Sequence, residues 1–247
     1  MKHEFLESIE EAALNAWPAP RQMLVDGWLL RFAGGYSKRV NSVNVLYSSR
    51  LPLDEKIAYC EAIYAHQGQQ TLFRLPEPFT APKIYAALEK HGYIQFDPTW
   101  VMGREINIER ELPSGVEVRQ HTLAEWLQMR ATLTETLLST WDVHRKIVDV
   151  IVPEKALLGL YADGQSVACG MGVVDGALLG YFSIFTGLSV RRSGFGRAVM
   201  DALTQWGVER GATFGYLQVE GDNNPALAMY AKLGFEPCYT YKYYKRG

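Results

Sequence analysis

The chain has 247 residues, 48% of them apolar, and a formal charge of −2, which is material for one large core or two small ones. Acids and bases are interspersed, so no basic stripe points to nucleic acid and no acidic tail to a cationic partner. No apolar run of about 18 residues is available to span a bilayer.

In chain order, Phe5, Ile9, Ala12, Ala13 and Ala16 recur at helical spacing before Trp17-Pro18 stops the pattern. Strand formers fill Trp28 to Ala33, ending at Gly34-Gly35, and an extended stretch from Val43 to Tyr47 ends in serines. A helix over Asp54 to His66, a strand over Thr71 to Leu75 and a helix over Pro82 to Lys90 follow. Strands are then predicted over Tyr93 to Phe96 and Trp100 to Ile106. The charged segment Glu109 to Gly115, with its Pro and Gly, reads as a linker.

A new series starts there: a strand over Val116 to Arg119, helices over Leu123 to Leu138 and His144 to Val150, and strands over Ala156 to Tyr161, Val167 to Val174 and Ala177 to Thr186. Asp163-Gly164 and Asp175-Gly176 suit two-residue hairpins, so these three strands form an antiparallel meander. The order then becomes helix, strand, helix, strand, strand, giving an α/β half with a mixed sheet.

Cys60, Cys169 and Cys238 are odd in number and far apart, which neither builds a disulfide framework nor matches metal-ligand spacing. The first residues place acids where a signal peptide needs an apolar core. A cytoplasmic protein without metal, nucleic acid or membrane partner is expected.

The most informative segment is Gly187 to Ala198, GLSVRRSGFGRA. Phe195, Ala198, Val199, Ala202, Leu203 and Trp206 form one apolar stripe, so a helix begins here, and Gly211 is placed to close it. Its first turn offers free backbone N–H groups, and Gly194 and Gly196 let an anion approach the main chain without a Cβ in the way. Each such contact contributes about 0.3 to 1 kcal/mol when exposed, so side-chain help from Arg191, Arg192 and Arg197 is needed, which suits a pyrophosphate. An ordinary strand-to-helix turn is the plainer reading of the same glycines. No Gly-Lys-Ser/Thr ending and no acid at dinucleotide-binding spacing accompany them.

A second motif spans Val219 to Phe235, VEGDNNPALAMYAKLGF. Asn224 before Pro225 reads as an N-cap, and Gly234 as a stop, so a short helix is bracketed with Tyr230 in its middle. Arg-x-x-Gly-x-Gly at 191–196 and Asn-x-x-Ala-x-x-x-Tyr-x-x-x-Gly-Phe at 223–235 together resemble the GNAT superfamily of N-acyltransferases in residues, order and spacing. The resemblance covers Val116 to the C-terminus. It implies a GNAT fold there, with Leu188-Ser-Val190 as the end of the fourth strand.

It implies further that Arg191, Arg192, Ser193, Gly194, Phe195, Gly196 and Arg197 bind the pyrophosphate of coenzyme A, and that the backbone of Leu188 and Val190 pairs with the pantetheine arm. Asn223 would orient that arm and Tyr230 would be the general acid. The strands at 177–186 and 214–220 would splay to admit the thioester. The expected reaction is direct transfer from acetyl-CoA to a primary amine of a small molecule or peptide. Glu220 is the candidate base, with Glu135 and Asp142 as alternatives. A silent acyl-CoA sensor and an O-acyltransferase are the rival readings. A route through a cysteine is disfavoured because Cys169 and Cys238 fall in predicted strands.

Residues 1–112 read as a smaller α+β domain without catalytic function, and 113–247 as the acyltransferase domain. Lys83 to Ile106 repeats the texture of Met229 to Tyr244, with Gly92-Tyr93 standing against Gly234-Phe235 and Leu88 in the place of Tyr230. The first half is thus either a degenerate GNAT-like copy or a separate cap. Trp17, Trp28, Tyr36, Lys38 and Arg39 are its candidates for reaching the acceptor cleft, or else core and surface. The tyrosines from 239 to 244 suit a final strand or a homodimer contact.

Overall fold

A computed structural model describes residues 2–47, 50–108 and 112–247. The elements are α1 (His3–Ala16), β1 (Arg21–Val25), β2 (Trp28–Phe32), β3 (Val43–Val45), α2 (Leu53–His66), β4 (Leu72–Pro76), α3 (Pro82–Lys90) and β5 (Tyr93–Glu105). The second half adds β6 (Val116–Gln120), α4 (Leu123–Thr134), α5 (Asp142–Asp149), β7 (Glu154–Ala162), β8 (Gln165–Asp175) and β9 (Leu178–Thr186). It ends with α6 (Phe195–Val208), β10 (Phe214–Glu220), α7 (Asn224–Lys232) and β11 (Glu236–Arg246).

All strands belong to one mixed sheet, ordered β1-β2-β3-β4-β11-β5-β10-β9-β8-β7-β6. Exchanging β1 to β5 with β7 to β11, label for label, turns the order of these ten strands into its own reverse. The pairings agree: β3 is parallel to β4 and β9 to β10, while β5 and β11 meet antiparallel at the centre. The exchange is a pseudo-two-fold axis normal to the sheet, the symmetry of an internal repeat. Each half lends its last strand to the other, since β11 pairs with β4 and β5 with β10. The linker at 109–115 therefore separates two sequence copies within one sheet; its residues 109–111 lie outside the described residues.

Alternation along the strands divides the core between the two faces. On one, Ile9, Ala12, Ala13 and Ala16 of α1 pack with Trp126 of α4 and Ile147 of α5 against Met171, Phe182 and Tyr216. On the other, the α6 stripe predicted from Ala198, Val199, Ala202, Leu203 and Trp206 packs on Leu179, Leu217 and Val219. Trp28, Leu30, Phe73 and Leu88 form the equivalent core under α2 and α3. At about 25 cal/mol per Å² of apolar area, such burial is what holds these helices to the sheet.

Several boundaries differ from the expectations. Strand β1 is mostly exposed and lacks an apolar pattern, yet Asp26-Gly27, both at positive φ, closes its hairpin with β2 as Asp163-Gly164 closes β7 to β8. In the next hairpin the loop residues are Gly176 and Ala177, one later than expected, because Asp175 pairs with Leu178. Helix α4 stops at Thr134, where Glu135 takes a left-handed conformation, and a 3-10 turn occupies Leu138–Trp141. Strand β5 is continuous through Asp97, whose φ of 51° marks an irregularity, and the two final strands expected are one, β11, with bulges. The cap of α7 is Asn223, whose side chain accepts from the Ala226 N–H, so Asn224 is the first helical residue and Pro225 the second.

Candidate active site

The parallel ladder between β9 and β10 runs from Leu178/Phe214 only as far as Tyr181/Leu217. Beyond it β9 continues through Phe182 to Thr186, held on its other side by β8 up to the Thr186–Ala168 pair. Strand β10 continues to Glu220, held by β5 up to Thr99. The two strands therefore part like a V, with unpaired backbone groups on both inner edges. Ser183 causes the divergence: its φ is 54°, and the β8–β9 register shifts between Cys169 and Met171 opposite it. A Cβ on Gly170 would stand 2.8 Å from Ile184, so glycine at that position lets the bulge close.

On the α6 side of the gap lies the glycine loop. Gly194 caps α6 at φ 84°, a conformation that favours glycine, and accepts from the N–H groups of Arg197 and Ala198. Among the described residues the N–H groups of Gly194, Phe195 and Gly196 donate to no carbonyl, leaving an anion cradle at the helix N-terminus. A Cβ on Gly196 would meet Thr186 Oγ1 at 3.3 Å and Met229 Sδ at 3.5 Å, so this glycine stands where β9, α6 and α7 converge. Ser193 and the side chains of Arg191 and Arg192 are exposed, and Arg197 pairs with Asp201 at 3.5 Å.

Tyr230 is half-buried on α7, its ring edge-on to Phe235 at 6.0 Å. Burial raises its pKa, so it keeps its proton at neutral pH. Asn223 is exposed at the N-terminus of α7, its side-chain oxygen committed to the cap and its amide nitrogen free of that contact.

Two expected roles move. Leu188 to Val190 is a 3-10 turn in which the Val190 N–H donates to Gly187, so Leu188 and Val190 are not strand residues that a ligand could extend. The open strand edge is upstream, at Phe182 to Thr186. Of the alternative bases, Glu135 is the exposed cap of α4 and Asp142 is paired with Arg145 at 2.8 Å on the surface. Glu220 is exposed at the tip of β10, on the strand face that also carries Tyr216 and Gln218.

On the α1, α4 and α5 side, sequence reasoning missed Arg130 and His144, though it named Trp17, Tyr36 and Lys38. Arg130 donates to the Ser183 carbonyl at 2.8 Å, and its guanidinium lies 4.4 Å from the Trp141 ring and 5.9 Å from Phe185. His144 is buried, and Trp17 stacks on Phe182 at 5.8 Å. From the first half, Tyr36 reaches His144 Nδ1 at 3.0 Å, and Lys38 is paired with Asp97, just before the Pro98 carbonyl that accepts from Gly221. Trp28, by contrast, is fully buried on the opposite face under Lys56, and is core. Arg130 looked like any polar position on α4, and nothing in sequence pairs positions 36 and 144.

The equivalent place in the first half, before α2, is closed by the chain itself. The Asp26 carboxylate accepts from the N–H groups of Arg50 and Leu51 at 2.8 and 2.9 Å and from Arg50 Nε at 3.0 Å. These bonds, the Leu51 N–H first, hold its pKa down at about 2. Leu88, in the Tyr230 position, is fully buried and offers no proton.

Residues 6–244 match the family described as "Probable histone acetyltransferase Rv0428c C-terminal". The "Uncharacterized N-acetyltransferase YobR" of Bacillus subtilis is 27% identical over 96% of this chain and 97% of its own length. The "Probable histone acetyltransferase Rv0428c" of Mycobacterium tuberculosis is also 27% identical, over 93% of this chain and 70% of its own. In fold the chain is similar to a GCN5-related N-acetyltransferase from Kribbella flavida, with TM-score 0.71 and 17% identity over 97% of this chain and 95% of that one. A tandem GNAT protein from the clavulanic acid biosynthesis pathway gives TM-score 0.67 at 14% identity over 83% and 75%. Among the described residues no helix is long and apolar enough to cross a membrane. The family match, residues 6–244, runs through both halves: the chain belongs to the Rv0428c C-terminal acetyltransferase family and, with it, to the GNAT superfamily.

Proposed function

We propose that the protein transfers the acetyl group of acetyl-CoA directly to a primary amine of a small molecule or peptide, and that the second half carries the chemistry. The observation that carries this reading is the convergence of three features. A strand gap opens at Tyr181/Leu217, a glycine-capped α6 adjoins it, and a protonated Tyr230 stands on the next helix. Acetyl-CoA supplies the activated thioester. Its pyrophosphate suits the N–H groups at 194–196 with Arg191 and Arg192 beside them, and its pantetheine arm suits the open β9 edge at 182–186. Asn223 would contribute its amide to that arm.

An amine of pKa about 10.4 must lose a proton before it can attack. Glu220, at the tip of β10, is the proposed acceptor of that proton, directly or through water. The amine nitrogen then bonds to the carbonyl carbon, and a main-chain N–H on the free edge of β9 stabilises the oxyanion; loss of such a donor in comparable sites costs about 2.7 to 4 kcal/mol. As the C–S bond breaks, the sulfur takes the Tyr230 proton and the nitrogen gives up its second proton to solvent, from which the phenolate is reprotonated.

The cysteines support direct transfer over an acyl-enzyme. Burial pushes Cys60 up to about 12, and Cys169 and Cys238 up to about 11, so none is a ready thiolate at neutral pH. Initial rates of thiol release, measured with amine and alcohol panels while both substrates are varied, test the reading. Intersecting lines with amines are expected. Parallel lines, or release with alcohols alone, would contradict it.

A further inference from the structure

His144, on the first turn of α5, is 2% exposed and meets β9 through Trp17, which stacks on Phe182. Its ring is caged by Trp126, stacked at 5.8 Å, and by Trp17 and Trp141, edge-on at 5.1 and 5.5 Å. One nitrogen, Nδ1, meets the Tyr36 hydroxyl at 3.0 Å; the other, Nε2, is buried with no hydrogen-bond partner among the described residues. Burial, with Arg130 second, lowers its pKa to about 3, so the imidazole is neutral and holds one N–H.

The cage decides where that hydrogen sits. A buried N–H without an acceptor is rarer in folded proteins than a lone pair without a donor. We infer that Nε2 is the bare nitrogen, so that Nδ1–H donates to the Tyr36 oxygen. This leaves the Tyr36 O–H without an acceptor among the described residues, on a half-exposed ring that burial keeps protonated. The residue is carried by the segment at 33–41, whose conformation is pinned by Asn41: its side-chain oxygen accepts from the N–H groups of Ala33 and Gly35, and its amide donates to Ser37.

The wall beside β9 thus presents donors, Tyr36 O–H and the Arg130 guanidinium, with an apolar lip of exposed Leu137 and Leu138 next to Trp141. Across the gap, the tip of β10 presents a carboxylate, Glu220. We propose that Tyr36, positioned by His144, is a specificity-determining residue of the acceptor site, and that the acceptor is an amine bearing a carbonyl or carboxylate oxygen close to its nitrogen. The first half then contributes recognition while the second contributes chemistry. This assignment rests on the acetyl-transfer reading above.

Matched amines test it: phenylalanine amide against phenethylamine, and leucine amide against isoamylamine, each with acetyl-CoA. The wild type is expected to favour the oxygen-bearing member of each pair. Tyr36→Phe should lower kcat/KM for that member about tenfold, through KM, the loss expected for one hydrogen bond, and so draw each pair together. His144→Phe, which keeps the aromatic cage filled but releases Tyr36, should do the same, while both variants bind acetyl-CoA like the wild type. An unchanged preference in Tyr36→Phe overturns the assignment. So does a wild type that favours the oxygen-free amines, or turns over neither while still binding acetyl-CoA. A wild type that fails to bind acetyl-CoA brings down the acetyl-transfer reading itself.

Discussion

Tyr230 and His144 are both aromatic, both titratable and both shifted by burial, yet the shifts have different consequences. Burial raises the Tyr230 pKa, so the phenol is protonated at neutral pH, the state that the proposed proton donor to the leaving thiolate requires. Tyr230→Phe is therefore expected to reduce kcat about a hundredfold or more while acetyl-CoA affinity holds, as read by steady-state rates and calorimetry. For His144 the consequence is stability. Its folded-state pKa of about 3 lies below the ordinary 6.5, so between those values the unfolded chain binds the extra proton. Stability contributed by the neutral ring is full above pH 6.5 and is lost as pH falls toward 3. Urea titrations from pH 7 to 4 should show the wild type losing on the order of a few kcal/mol more than His144→Phe. Equal losses would mean that the ring is not held neutral.

At the scale of elements, the loop and helix at 187–208 show what a sequence makes legible. The α6 stripe, its start at Phe195 and the glycine cradle are local, since each follows from residues within one or two turns. The family resemblance implies a strand end at Leu188–Val190, where the chain instead makes a 3-10 turn with the Val190 N–H donating to Gly187. The true strand edge depends on a bulge at Ser183, set by Gly170 and Arg130 from β8 and α4, and no neighbour in sequence announces it. Arg130→Met removes the only side-chain bond to the Ser183 carbonyl among the described residues. It is expected to raise KM for acetyl-CoA several-fold with a smaller change in Tm than a core truncation gives, because Arg130 is only half-buried. Thermal melts and initial rates check both parts.

For the whole molecule, the repeat was visible as a faint echo of Met229 to Tyr244 in Lys83 to Ile106, but the exchange of final strands was not. Pairing partners separated by well over a hundred residues, such as Tyr243 with Phe96, leave no periodicity to read. The exchange has a physical consequence. A fragment of residues 113–247 lacks β5, so β10 gains a bare edge and β11 loses both neighbours. That fragment is expected to aggregate or remain unfolded, whereas coexpression with residues 1–112 should restore a soluble complex. A monomeric fragment that unfolds cooperatively would contradict the sheet order. In the first half Asp26 ties down the chain just before α2, so the proposed reading places one acetyl-CoA site on each chain, in the second half.

That stoichiometry and the central claim are tested together by calorimetric titration of acetyl-CoA into the wild type and into Gly196→Trp, whose indole would project from the point where Thr186 and Met229 already stand within 3.5 Å of a Cβ. The account predicts one site per chain in the wild type and none in the folded variant. Absence of binding by the wild type, or undiminished binding by the variant, would contradict it.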